Sequence, residues 1–259
     1  MKKGKIIGLL LLFAQTIFAQ KIYQLAPPLA KVASVFFYKK TSLSFAFNQP
    51  GSSIHYTTDG TEPTLASPRY QKPISVSTHK VMVKAKSFAD GFLSSEMVRV
   101  PFFSQGHAIS KLHISATNPQ YAGNGETGLK DNKSGGANHS NGTWMGFDSD
   151  SVVIDLSLKK RARISQVLLH VLNSQGAWIF VPAAVDCYTV ENNKPTLIKS
   201  QTFETVKETE AKAEALFIDL QAIPIKNLRI VVFPLGAMPE WHVGKGKKAW
   251  LFLDEIKLY

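Results

Sequence analysis

The chain has 259 residues, 44% of them hydrophobic, with a single cysteine and a formal net charge of +11. That length leaves room for one large domain or two modest ones, and one cysteine excludes an intramolecular disulfide framework. The positive charge is spread out, with no basic block beyond Lys159-Lys160-Arg161 and the Lys245, Lys247, Lys248 group, so it gives solubility and a mild attraction to acidic polymers and does not argue for a nucleic-acid partner.

The first residues read as a secretory leader. Lys2, Lys3 and Lys5 precede the apolar run Ile6 to Phe13, and Ala19 supplies a small residue at the predicted cut. Residues 1–19 are therefore expected to be a signal peptide. No later run approaches the roughly 20 apolar residues of a membrane span. Gln20, not Cys, follows the cut, so no lipoprotein anchor is expected there. An exported chain without disulfides suits a bacterial periplasm, cell surface or secreted fraction. Cys187, in the strand-like Ala183-Ala-Val-Asp-Cys-Tyr-Thr-Val190, reads as a small buried hydrophobe.

From Tyr23 to Phe103 short strands alternate with turns. Val32 to Tyr38 is apolar, Leu43 to Phe47 alternates, and Asn48 to Ser52 is a turn cluster. Ile54 to Thr58 alternates again and runs into Asp59-Gly60; Val81 to Ala85 and Met97 to Val100 complete the set. This spacing predicts a small β-sandwich over residues 20–103. The motif Tyr56-Thr-Thr-Asp59-Gly60-Thr-Glu62-Pro63-Thr64, with Ile54, Ser67, Tyr70, Pro73 and Ala85-Lys86, resembles the C-terminal domain of chitobiases and β-hexosaminidases. That resemblance implies an immunoglobulin-like sandwich attached to glycan-degrading enzymes. Read physically, the motif is structural: Tyr56 packs, while Asp59-Gly60 and Pro63 fix a turn.

Residues 106–119 link to a second unit, expected over 104–259. Both units are expected to fold alone, because each has its own strand set. Tyr121 to Phe147 is a long loop rich in glycine, asparagine and serine that cannot bury a core of its own. Gly123, Gly125 and Gly128 satisfy G-x-G-x-x-G, but no helix pattern follows, so the dinucleotide reading is rejected. Three Asn-x-Ser/Thr triplets, at Asn132, Asn138 and Asn141, matter only in a glycosylating host. Asp131, Asn132, Ser134, Asn138 and Asn141 place oxygens on a tight loop, the donors a hard cation such as calcium needs. Trp144 and Phe147 re-anchor the loop in apolar surroundings. Strands are predicted at 152–156, 164–171, 184–190, 216–220, 228–233 and 250–259, giving a second sandwich. Residues 204–215 read as a solvated excursion, with a short exposed helix as the alternative.

The second unit resembles the coagulation factor 5/8 type C, or discoidin, domain and the related family 32 carbohydrate-binding modules. It is especially similar to the version that ends bacterial family 20 hexosaminidases. Carrying the resemblance are Tyr121-x-Gly-x-Gly125, Leu129-x-Asp131, Asn141-Gly-x-Trp144-x-Gly-Phe147, Trp178-Ile-Phe-x-Pro182, Pro239-x-Trp241-His242 and Ala249-Trp-Leu-Phe-x-Asp254-Glu255-Ile256. It implies an all-β chain of two tandem sandwiches, the second a galactose-binding-like jelly roll with a structural calcium. Carboxylates from Asp131 and Glu255 and carbonyls from Lys133 and Gly136 would hold that ion. Relatives commonly place Ser or Thr where this chain has Gly136, which removes a hydroxyl ligand.

Sugar binding needs aromatic faces and a few polar groups. Trp178, Phe180, Trp241 and His242 lie in loops flanked by glycine and proline, where sugar stacking and ordinary packing are both open. Asn141 is either a hydroxyl partner or a turn former; Trp144 and Trp250 read as core. The seven histidines are scattered, without His-x-x-x-His, and there is no Gly-x-Ser-x-Gly elbow. Two sandwiches leave no room for the catalytic barrel of the resembled hexosaminidases. The expected function is therefore a secreted, non-catalytic carbohydrate-binding accessory protein. Its expected partners are a glycan containing N-acetylhexosamine or galactose and a separate glycoside hydrolase. The alternatives are a structural or protein–protein interaction module of a cell-surface glycan-degrading system, and an enzyme with an unrecognised site.

Overall fold

The computed structural model describes residues 23–115 and 117–259. The expected leader, residues 1–19, lies outside them. The first seven strands are β1 (Leu29–Lys31), β2 (Phe36–Phe37), β3 (Thr41–Ala46), β4 (Ser53–Thr57), β5 (Ile74–Val76), β6 (Val81–Phe88) and β7 (Val98–Ser104). They make two sheets, β1-β3-β5 and β2-β7-β6-β4, antiparallel except for the β2–β7 pair. In β6 every second residue from Val83 is buried, the period of two a half-buried strand requires. Phe37, Leu43, Phe45, Val83, Ala85 and Phe102 fill the space between these sheets.

The chitobiase-like motif is consumed by its own turn. Asp59 Oδ1 accepts from the Thr61 amide and hydroxyl at 3.0 and 2.6 Å, and the Thr57 hydroxyl donates to the Thr61 carbonyl at 2.6 Å. Lys86 pairs with Glu62 at 2.9 Å, and half-buried Tyr56 packs on the core. These contacts fit the structural reading of the motif.

The second unit contains β8 (Ile109–Ile114), β9 (Met145–Phe147), β10 (Val152–Asn173), β11 (Ala184–Glu191), β12 (Lys194–Thr202), β13 (Lys212–Phe233) and β14 (Leu251–Leu258). Their sheet runs β12-β11-β13-β10-β14-β9, with β8 on the first half of β10. β10 and β13 pair along 22 residues each, with irregularities at Ser157/Ala162 and Ile164/Gln166. Those bulges bend the long pair, so one half of β10 meets β8 and the other half meets β14. Asn192 and Asn193 both have positive φ, which makes the tight two-residue turn between β11 and β12. Residues 204–211 are not helical; they lead into β13, which begins at Lys212, earlier than the pattern predicted. Cys187 is fully buried, and burial pushes its thiol up to about 12. No helix among the described residues is long and apolar enough to cross a membrane.

The two units share a buried contact, which the expectation that each folds alone did not include. Phe36, Phe103 and Leu168 form one buried cluster, packed against Val35, Ala215, Phe217 and Tyr259. Leu168 lies on the face of β10 opposite the second unit's own core, so cutting the chain after β7 would expose it. The connection is equally tight. His107 donates its amide to Leu258 O at 2.7 Å, and Tyr259 donates its hydroxyl to Ser104 O at 2.8 Å. A Cβ on Gly106 would lie 2.1 Å from Leu258 O, so only glycine lets the connector run against β14.

Candidate functional site

Two places in the second unit collect the residues singled out from sequence. The first is a rim where the loop after β10 meets the loop before β14. Trp178 ends a 3-10 turn in the left-handed region (φ 66°), and its carbonyl accepts from the Trp250 amide at 2.9 Å. The second loop folds on itself: Met238 N donates to Lys247 O and His242 N to Pro239 O. Together these bonds bring Trp178, Phe180, Trp241 and His242 within ring contact, with centroid separations of 5.3 to 6.4 Å.

Their roles differ. Trp241 is 39% exposed and Trp178 is half-buried, whereas Phe180 is 1% exposed and packs with Met238 and Ala249 as the floor. Phe180 therefore supports the rim and cannot itself meet a ligand. His242 uses both ring nitrogens: Nε2 lies 2.9 Å from Gln175 O, and Gly244 N donates to Nδ1 at 3.0 Å. The ring thus donates from Nε2 and holds the two loops together. Lys247 Nζ sits 5.2 Å from the Trp178 ring and Lys207 Nζ 6.0 Å from Trp241. Sequence marked Lys247 only as one of a basic group and Lys207 not at all, since nothing local marks residues from two loops as neighbours. Asn141 stands apart: its Oδ1 accepts from the Thr143 amide and hydroxyl at 3.0 and 2.6 Å, so it is a turn former. It adjoins a separate cavity of about 440 Å³ lined by Tyr121, His139, Ser140, Gly142 and Trp144.

The second place is the docked loop. The pairing of β14 with β10 shifts between His170 and Val171, and Leu251, Leu253, Ile256 and Leu258 all enter the core. This bulge leaves Asp254 and Glu255 together on the opposite face. Loop residues cover that face. Asn132 N donates to Glu255 Oε2 at 2.6 Å, Gly135 N donates to Asp254 Oδ2, and Ile256 N donates to Leu129 O. The Trp144 indole donates to Gly136 O at 3.1 Å and stacks on His170, which meets Asp254 at 2.5 Å. Trp144 is core, as expected, at 1% exposure.

The residues expected to hold calcium do not fit that ion. Lys257 Nζ donates to Glu255 Oε1 at 2.9 Å and to Asn132 Oδ1 at 2.8 Å, and is itself buried. The Gly136 carbonyl faces the Trp144 indole, and Asp131 Oδ1 accepts from the Lys133 amide at 2.8 Å. Calcium asks for six to eight converging oxygens, but here Glu255 has both oxygens committed and an ammonium lies between it and the loop. Among the described residues no three His, Cys, Asp or Glu side chains could hold a metal. The buried atom of this cluster that lacks a partner, Asn132 Nδ2, is a donor, which a cation cannot use. Burial pushes the Glu255 carboxyl up to about 7 and draws Lys257 down, while the attraction between their charges opposes both shifts.

Residues 33–99 match the chitobiase/beta-hexosaminidase C-terminal domain family. Solved structures similar to this chain include CpGH89CBM32-5 from Clostridium perfringens, in complex with GalNAc-beta-1,3-galactose. It is 13% identical with a TM-score of 0.40, covering 57% of this chain and 94% of that one. A pectin-binding carbohydrate-binding module is 13% identical with a TM-score of 0.37, covering 59% and 91%. The lectin domain of Lectinolysin, complexed with Lewis B antigen, is 15% identical with a TM-score of 0.37, covering 57% and 91%. No curated protein sequence matches the chain.

Proposed function

We propose that the protein is an exported, non-catalytic glycan-binding accessory factor that acts beside a separate glycoside hydrolase. The observation that carries this reading is the rim itself. Trp241 and Trp178, far apart in sequence, face outward from one floor and are locked by His242, so little ordering entropy is lost on binding. Exposed indoles with nearby polar groups suit the apolar face of a pyranose. Lys207 and Lys247 bring two ammonium groups to the rim rings, and neither forms an ion pair among the described residues while Lys245 and Lys248 do. A sugar bearing a carboxylate would therefore bind more tightly than its neutral counterpart. The leader-like residues 1–19 support export, and the family matched by residues 33–99 supports a setting of glycan degradation.

A glycan array on the purified chain, spanning neutral, N-acetylated and uronate-bearing sugars, tests the reading. Binding that weakens in Trp241→Ala, and weakens with salt, is the expected result. No binding to any glycan would leave the rim as a protein-contact surface. Turnover of chromogenic N-acetylglucosaminides would overturn the non-catalytic assignment.

A further inference from the structure

Lys257, on β14, is the least expected residue beneath the docked loop. A lysine on a strand face is ordinarily solvated, yet here it is 4% exposed. Its ammonium spans Glu255 Oε1 and Asn132 Oδ1, at 2.9 and 2.8 Å, and lies 5.4 Å from the Phe36 ring. The negative charges of Asp131, Asp254 and Glu255 all bear on it. The oxygen-rich stretch around Asp131 is thus drawn toward a positive charge, as a cation-binding loop should be. That charge belongs to the protein.

The same ammonium lies at the junction of the two units. Ser34 donates its hydroxyl to Asn132 O at 2.8 Å, and Val35 N reaches Ser134 Oγ at 3.4 Å. Phe36 meets His170 edge-on at 5.0 Å, so the first unit closes over the buried polar cluster from outside. A buried ammonium is tolerated only when paired and hydrogen-bonded, and an aromatic face over it adds a further favourable contact. All three conditions are met at this position.

We propose that Lys257 is the resident cation of the 131–136 loop, replacing a metal ion, and that the first unit seals it in place through Ser34 and Phe36. A divalent ion would need the two oxygens that Lys257 already holds, and its own charge would be repelled by the ammonium. The loop is consequently anchored without metal. Its anchoring instead depends on the first unit.

The test uses the full chain, with calcium chloride as the probe. Melting should be unchanged between millimolar calcium and EGTA, and titration calorimetry should show no calcium binding. Lys257→Met keeps the apolar stem but strands Glu255, so amide exchange at Asn132 and Gly135 should accelerate roughly 100-fold. If that variant does not fold, Ser34→Ala, which keeps the ammonium, should still speed exchange in the loop while leaving β11 amides unchanged. Calcium that binds and raises the parent's melting point would overturn the proposal. So would loop exchange that is unmoved in Lys257→Met and Ser34→Ala alike.

Discussion

Phe103→Ala probes the junction between the two units directly. Phe103 is 4% exposed, its ring centroid is 5.6 Å from Phe36 and 5.7 Å from Phe217, and Leu168 of the same cluster is fully buried. Truncating a buried phenylalanine costs about 3–5 kcal/mol in transfer and cavity terms. For a chain of this size each kilocalorie lowers melting by about 2–4 °C, so the shift should be roughly 6–20 °C. The shape of the transition is more informative than its midpoint. If the cluster couples the units, the parent should melt in a single calorimetric peak, and Phe103→Ala should split or broaden it. Removing the first unit altogether uncovers Leu168 and Phe217 as well, so residues 105–259 alone should be less stable than in the full chain. A Phe103→Ala protein with the parent's melting curve, or a 105–259 fragment as stable as the whole, would refute the coupling.

Trp241→Ala should cost about 1–3 kcal/mol of glycan affinity, the range for stacking on an aromatic side chain. Because Trp241 is 39% exposed, its stability loss should stay below the 3–5 kcal/mol of a buried tryptophan; a large melting loss with unchanged binding would remove it from the site. Gly135→Ala should destabilise by about 1–3 kcal/mol in urea unfolding, because the new Cβ would meet Trp144 Nε1 and Cε2 at 2.4 Å and the indole is held by its stack on His170. Cys187 should stay unreactive toward a thiol reagent at pH 8 and react only on unfolding, since its buried thiol is pushed up to about 12.

Much of the architecture was legible because strands carry their own signature. The alternation in Val81 to Phe88 and the turn residues Asp59-Gly60 fix local structure without reference to the rest of the chain. What the pattern could not give was which residues lie on a shared surface. Leu168 and Phe217 look like ordinary strand hydrophobes, and nothing local says that their partners are Phe36 and Phe103, more than 60 residues away. The calcium expectation left out a neighbour for a related reason. Asp131 and Glu255 were read as a pair without Lys257, two residues past Glu255 on the same strand, whose ammonium donates to Glu255. A signal was present: apolar positions at 251, 253, 256 and 258 break the period of two between Leu253 and Ile256. That break marks a bulge, places Asp254 and Glu255 on one face, and carries Lys257 onto it as well.

Strand β14 relates the two functional regions. Its first residue follows Trp250, whose amide and carbonyl bond to Trp178 and Phe180. Leu258 and Tyr259, at its other end, bond to His107 and Ser104 beside the first unit. Eight extended residues span about 27 Å at ~3.4 Å each, so the aromatic rim lies well away from the junction. The first unit can therefore stabilise the second without covering its rim. Perturbations at such a separation should be additive to within about 0.5 kcal/mol. The Trp241→Ala, Phe103→Ala double variant should accordingly show the affinity loss of the first change and the stability loss of the second. A glycan affinity that falls further in the double variant would mean that the junction holds the rim in shape.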